Sequence, residues 1–327
     1  MSPAARRTTI YLVLALCVCA LPFVLKNFQV FQITMALSYA IALFGLNMLT
    51  GYNGQISLGH GAFYAIGAYT TAVLIDRLGV PYGLTILIAA IVCFIAGFLF
   101  GLPALRLEGI YLALATFALA VAVPQLLKFK QLEHITGGVQ GINIAKPEAP
   151  FGLPLSPDRW LYFLTIFVVV VMFVLGANLL RSRHGRAMVA IRDQPIAAAA
   201  MGINNAMTKS VTFGISALYA GVSGALGALL IQFVAPDSFN VFLSLSLLIG
   251  VVVGGLASIW GAIFGGFFIQ FIPNVADQIS ESAPWAIYGI ILILFMFFMP
   301  TGVVGLIARL RARWSHKRPP AQGPQRN

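Results

Sequence analysis

Along the chain, long apolar blocks without Asp, Glu, Lys or Arg alternate with short polar segments. Thr8–Leu25, Leu78–Leu105, Gly109–Leu127, Trp160–Leu180, Ser210–Pro236 and Ser282–Ala308 are such blocks. Each has room for one helix of about 20 residues, the length that crosses ~30 Å of hydrocarbon. Asn27–Ile75 and Ser238–Ala276 are roughly twice as long, room for two crossings and a turn, or for a crossing and a re-entrant segment. The pattern therefore predicts an all-α polytopic membrane protein. It should have about ten transmembrane helices, some of them broken or re-entrant, in a single transmembrane domain over 1–327.

Composition agrees. The chain is 60% apolar and 9% charged, against about 25% charged in a soluble domain. That excludes both an ordinary soluble protein and a disordered one. The formal net charge of +11 could point to nucleic acid, but topology accounts for it. Ten crossings put both termini on one side. Of the 20 Lys and Arg, Lys26, Arg77, Lys128, Lys130, Lys146 and Arg159 then fall on the other side, and the remaining fourteen share the side of the termini. The positive-inside rule makes that side cytoplasmic, and no nucleic-acid partner is needed. Arg6 and Arg7 before an apolar stretch outline a signal peptide. No small-x-small site follows, and Leu16 before Cys17 does not suit a lipoprotein, so an uncleaved first span is expected. Cys17, Cys19 and Cys93 lie in apolar blocks and indicate neither a disulfide nor a metal site.

Three polar segments stand out. Residues 128–159 form an external loop rich in Gly and Pro, which predicts turns and extended pieces rather than a helix. Residues 181–209 form a cytoplasmic loop. There Asp193 is placed to cap a helix, Pro195 suits its first turn, Ala197–Ala200 propagate it, and Gly202 ends it. A helix of about two turns cannot stand alone, so it must pack on its own spans or on a partner. Residues 309–327 form a basic cytoplasmic tail.

Glycine interrupts the spans twice. The first break carries Gly51, Gly54 and Gly59 and brings Asn53, Gln55, Ser57 and His60 to a span boundary. The second carries Gly254, Gly255, Gly261 and Gly265, the last two on one helix face. Irregular backbone at membrane depth is tolerated only when buried in protein or lining a watery cavity. The glycines read first as close helix packing. Asn53, Gln55, Ser57 and His60 are the polar groups placed to line a substrate path. His60 has no acidic or histidine neighbour, which favours a satisfied helix-end histidine over a metal or acid–base role.

No phosphate-binding loop, H-E-x-x-H or G-x-S-x-G motif occurs, so neither an enzyme nor a bound cofactor is expected. Asp76, Glu108, Asp237 and Asp277 sit at predicted span ends rather than at the midplane, which argues against an ion-coupled carrier. A channel, or a transporter energised by another subunit, fits better.

Three blocks carry a resemblance: Gly51–Tyr69, Gly185–Ile203 and Val252–Gly261. Together, and in this order, they resemble the branched-chain amino acid ABC permeases, in particular the LivM-type member of the LivH/LivM pair. The resemblance implies an inner-membrane subunit that pairs with a second, LivH-like permease. It implies docking to two cytoplasmic ATP-binding subunits and receipt of substrate from an external substrate-binding protein. It also assigns coupling to the ATPase to Asp193, Pro195, Ala198, Ala199, Ala200 and Gly202. Ala198 stands where the broader ABC loop pattern has Glu, so shape and apolar contact would have to replace a salt bridge. Related permeases move urea, short amides or other amino acids, and the substrate stays open at that level.

Overall fold

The computed structural model describes residues 18–104, 107, 109–150, 154–279 and 284–316. Helix α1 covers 18–24. Helix α2 (Asn27–Asn47) runs on into a π-helical turn, Met48–Tyr52. There follow α3 (His60–Leu78), α4 (Tyr82–Ala104), α5 (Ile110–Leu127) and the single turn α6 (Glu133–Thr136). After strand β1 (Ile142–Asn143) come α7 (Pro157–Arg181), α8 (Arg183–Asp193), α9 (Pro195–Ala200) and α10 (Asn205–Ile231). Strand β2 (Phe233–Val234) leads to α11 (Val241–Gly254), α12 (Ile259–Ile279), α13 (Pro284–Phe298) and α14 (Gly302–His316).

Among the described residues, seven helices are long and apolar enough to cross a membrane. They are α2 with its π turn, α4, α5, α7, α10, α12 and the α13–α14 stretch Ala286–Arg311. Two further helices sit between spans: α3, which ends in Asp76 and Arg77, and α11, an apolar helix of 14 residues. Most of the predicted first span, 8–17, lies outside the described residues; its visible end packs on α7, where the Tyr162 hydroxyl donates to Val18 O at 2.9 Å.

Burial sorts these helices. The apolar window of α10 is 83% buried and that of α2 78%, against 28% for α5, 22% for α7 and 6% for α13–α14. So α2 and α10 form the hub, with α3 and α4 packed on α10, and the outer helices turn Leu87, Ile91, Phe167 and Val170 outward. In lipid, association depends on van der Waals fit and interhelical hydrogen bonds, because apolar burial gains little there. The hub has both. Gly67 of α3 lies on the backbone of Gly221 in α10, where a Cβ has no room. Ser38 of α2 and Ser223 of α10 each donate a hydroxyl to the other's carbonyl, at 3.0 and 2.7 Å.

At one end of the bundle, β1 pairs antiparallel with β2, Ile142 opposite Val234 and Asn143 opposite Phe233. Lys128–Asp237 and Lys146–Asp158 ion pairs and a Trp160 Nε1 to Tyr82 Oη bond tie the same surface. The sequence predicts no helix in 128–159. The structure places single turns there, Lys130–Leu132, Glu133–Thr136 and Gly138–Gln140. Gly137, Gly138 and Gly141, all at positive φ, separate or close them.

Gly67→Val tests the hub. The added side chain meets backbone rather than a flexible neighbour, so overpacking should cost roughly 1–3 kcal/mol or more. The expected result is a lower thermal midpoint in detergent and less folded protein in the membrane. An unchanged midpoint would contradict the packing.

Candidate functional site

The two glycine breaks, far apart in sequence, meet. Asn47, at the end of α2, donates its Nδ2 to Ser258 O at 2.7 Å and accepts the Ala257 N–H on Oδ1 at 2.8 Å. One carboxamide thus serves a donor and an acceptor that the chain between α11 and α12 leaves unpaired. Gly51 lies against the Ala257 backbone too closely for a Cβ. Gly254 lies against Gly261, Gly265 against Gly250, and Gly59 against the Thr116 carbonyl. Gly255, at φ +117°, faces Thr301 and Val304 of the turn into α14. The first break is held as well: Gln55 N donates to Leu49 O at 3.1 Å, and Leu58 N to Thr116 Oγ1 at 2.9 Å.

The four polar residues singled out in this break divide into two pairs. Ser57 and His60 are fully buried and satisfied. Ser216 Oγ donates to Gly45 O at 2.6 Å, so it accepts from His60 Nε2–H at 2.6 Å. That leaves His60 Nδ1 to accept the Ser57 hydroxyl at 3.1 Å. The imidazole is a neutral link joining α3, α10 and α2, which is a structural task. Asn53 differs: it is 2% exposed, and neither atom of its carboxamide has a protein partner. Gln55 Oε1 is likewise buried and unpartnered. Both residues line an open cleft of about 190 Å³, together with Leu112, Ile191, Arg192, Pro195 and Lys209.

The 181–209 segment forms the far wall of that cleft. Ser182 caps α8, its hydroxyl accepting the His184 N–H at 3.2 Å. Helix α8 buries Met188 and Ile191. His184 Nε2 lies 3.3 Å from the Thr212 hydroxyl of α10, and burial holds this imidazole below its ordinary pKa. Arg192 reaches across: Nη1 donates to Gly51 O at 2.8 Å, and its stem lies on Gly54, which takes φ +73°. Only glycine both fits beneath that stem and adopts this backbone without strain.

The sequence places the cap of the next helix at Asp193; the structure corrects this. Asp193 is the last residue of α8 and pairs with Arg192, and Gln194 precedes α9 in an extended conformation. Proline excludes its predecessor from the helical region, so Pro195 sets the break one residue later than a capping reading does. Helix α9 is correspondingly short, six residues, and Gly202 follows at φ +83°. Asp193, Pro195, Ala199 and Ala200 are exposed, while Ala198 is 4% exposed and faces the protein's own interior. The sequence reading overlooks Ile196 and Met201, each 84% exposed. Two large apolar residues in a segment outside the spans were the available signal. It also overlooks Arg192 and Lys209, whose approach to the first break depends on tertiary packing.

Comparisons with known proteins agree on one family. Residues 29–299 match the permease component of the branched-chain amino acid transport system. The high-affinity branched-chain amino acid transport system permease protein LivM of Escherichia coli strain K12 is 33% identical over 329 residues, 94% of this chain and 76% of that protein. Its counterpart in Salmonella typhimurium is 33% identical over 308 residues, covering 87% and 72%. BraD, the corresponding permease protein of Pseudomonas aeruginosa, is 26% identical over 296 residues, covering 84% and 93%. No solved structure matches the chain.

His60→Leu separates structure from transport chemistry. It takes the acceptor from the Ser57 hydroxyl and one donor from Ser216 Oγ, which keeps its bond to Gly45 O, at a cost of about 1–3 kcal/mol. The expected result is a lower thermal midpoint and less protein, with the Michaelis constant for transport unchanged in the fraction that folds. A shifted substrate preference at normal stability would assign His60 to the path instead.

Proposed function

Because this chain belongs to the permease family of branched-chain amino acid transport systems, we propose that it is the membrane subunit of an ATP-driven importer of branched-chain or closely related amino acids. It forms half of the translocation path beside a second, LivH-like permease, in the inner membrane. An external binding protein delivers substrate to the end built from β1, β2 and the 128–159 loop. The end bearing α8 and α9 faces the cytoplasm, together with both termini, in keeping with its Lys and Arg. No phosphate-binding loop occurs in the chain, so hydrolysis belongs to two cytoplasmic ATP-binding partners.

The observation that carries this reading is the arm formed by α8 and α9. It lies outside the spans, exposes Ile196 and Met201, and is fastened by Arg192 to the first break. An apolar pair at the centre of a docking surface excludes water and anchors a partner. Arg192 and the α8 core then carry a displacement of the arm to Gly51 and Gly54. Asp193, Pro195, Ala199, Ala200 and Gly202 shape that surface, and Ala198 seats the arm from beneath. Asn53 and Gln55 remain available to substrate, and Ser57 and His60 hold their segment in place.

Two experiments check this. Cysteines replacing Pro150 and Arg311 should react with impermeant reagents from opposite faces; labelling of both from one face would refute the topology. Ile196→Asp in the assembled transporter should cut ATP-driven leucine uptake at least tenfold at normal membrane abundance. Uptake that persists in this variant would reject the docking role, and uptake without ATP would favour a channel.

A further inference from the structure

We propose that the cleft between the start of α2, the end of α10 and the 128–159 loop receives a free zwitterionic α-amino acid at the delivery face. The inference rests on the reading of this chain as an amino acid permease, and names where that substrate first touches it. The cleft measures about 360 Å³, and its described lining includes Asn27, Phe28, Lys146, Asp158, Ile231 and Gln232. That size suits a small ligand. Three features converge. First, its described lining holds one charge of each sign, and the two are paired: Lys146 Nζ donates to Asp158 Oδ1. Both side chains stay within reach, 24% and 21% exposed. A partly exposed ion pair contributes little net stability, so a ligand that offers each partner an opposite charge opens it at small cost. Second, two amides border the pair at accessible positions, the exposed Asn27 and the half-buried Gln232. Gln232 closes α10 at φ +67°, in the left-handed region that favours glycine. The chain keeps a long amide there against that preference. Third, the exposed Phe28 and Ile231 give the cleft an apolar wall.

An α-amino acid complements all three. Its carboxylate takes Lys146 and its ammonium takes Asp158, so each protein charge exchanges one partner for another and none is left bare. The Asn27 and Gln232 amides offer both groups further donors and acceptors. The alkyl side chain lies on Phe28 and Ile231. A plain carboxylate or a plain amine satisfies one member of the pair and strands the other, which favours the zwitterion over either. The position gives the site its meaning. Asp158 lies in the first turn of α7, and Ile144 N donates to Gln232 O at 2.8 Å, so the cleft borders the β1–β2 ribbon. Ile231 also lines a smaller chamber of about 60 Å³, with Tyr39, Phe239 and Leu243. A substrate accepted in the cleft is then one side chain away from a space inside the bundle.

The test uses the complete transporter in phosphatidylcholine nanodiscs without the external binding protein or nucleotide, titrated with radiolabelled L-leucine. The expected result is saturable binding that Lys146→Gln and Asp158→Asn each weaken at least tenfold. Leucinamide, which lacks the carboxylate, and 4-methylpentanoate, which lacks the ammonium, should compete at least tenfold less well than leucine. Gln232→Gly relaxes the backbone and leaves the ion pair in place. It should keep or raise the thermal midpoint while weakening binding at least threefold, and it decides the matter should a charge variant fail to fold. No saturable binding, or binding equal in wild type and all three variants, in a complex that transports leucine would mean a purely structural ion pair. Either result would overturn the inference while leaving the function intact. Loss of leucine binding when phosphatidylethanolamine replaces phosphatidylcholine would assign the cleft to a lipid headgroup and overturn it too. A complex that transports no leucine with ATP and loaded binding protein refutes the functional reading itself.

Discussion

The Asn47 carboxamide resolves the constraint on which this architecture depends. A helix broken inside a bilayer exposes N–H and C=O groups that no water can reach. Between α11 and α12 the chain leaves the Ala257 N–H and the Ser258 carbonyl without helical partners, and Asn47 serves both. Because Asn47 belongs to α2, the bond fixes one break directly onto the start of the other. Six residues further on, the irregular part of the first break starts at Asn53, after the π turn Met48–Tyr52 that holds Gly51. Single π turns recur at functional sites because they redirect the side chains that follow, and here the next side chain is the unpartnered Asn53.

Rigidity is unevenly distributed around that joint. The hub of α2, α3 and α10 is held by backbone contact at Gly67 and by buried hydroxyl and imidazole links through Ser38, Ser223, Ser216 and His60. Each link lies in a low-dielectric interior, where breaking it strands both partners. The arm is attached differently. Its core is Met188 and Ile191, and its polar fastening is a partly exposed arginine shared between Gly51 O and Asp193. Partly exposed bonds of that kind contribute little net stability, because water replaces them. A force applied at Ile196 therefore moves the arm before it deforms the hub.

Much of this was legible in the sequence, and the limits have physical causes. Uninterrupted apolar blocks mark spans reliably because lipid forces every backbone bond to be internal. The glycine breaks were visible for the same reason. That the breaks touch was not visible, since Asn47 sits inside an unbroken apolar run and its partners lie some two hundred residues away. The Asp193 cap was misplaced because capping preference and the restriction imposed by Pro195 compete at one step, and the proline prevails. The buried face of Ala198 could not be read from a run of four identical alanines, since composition alone does not say which side of a helix packs. The 128–159 turns escaped because three positive-φ glycines permit helical turns between them as readily as extended chain.

Asn53, Gln55, Ser57 and His60 share one short segment, yet chemistry divides them between Gln55 and Ser57, on the approach to Leu58. There the Leu58 N–H is taken by Thr116 Oγ1, and Gly59 lies on the Thr116 carbonyl. Beyond that point the chain enters α3, where His60 finds partners on both ring nitrogens while the Tyr64, Tyr69 and Thr71 hydroxyls find none. Before it, the chain lies against the arm, and the Asn53 carboxamide and Gln55 Oε1 acquire none. Because the Tyr64, Tyr69 and Thr71 hydroxyls of α3 lack partners too, what distinguishes Asn53 and Gln55 is their place in irregular chain beside the arm, where a shift of Arg192 changes their surroundings.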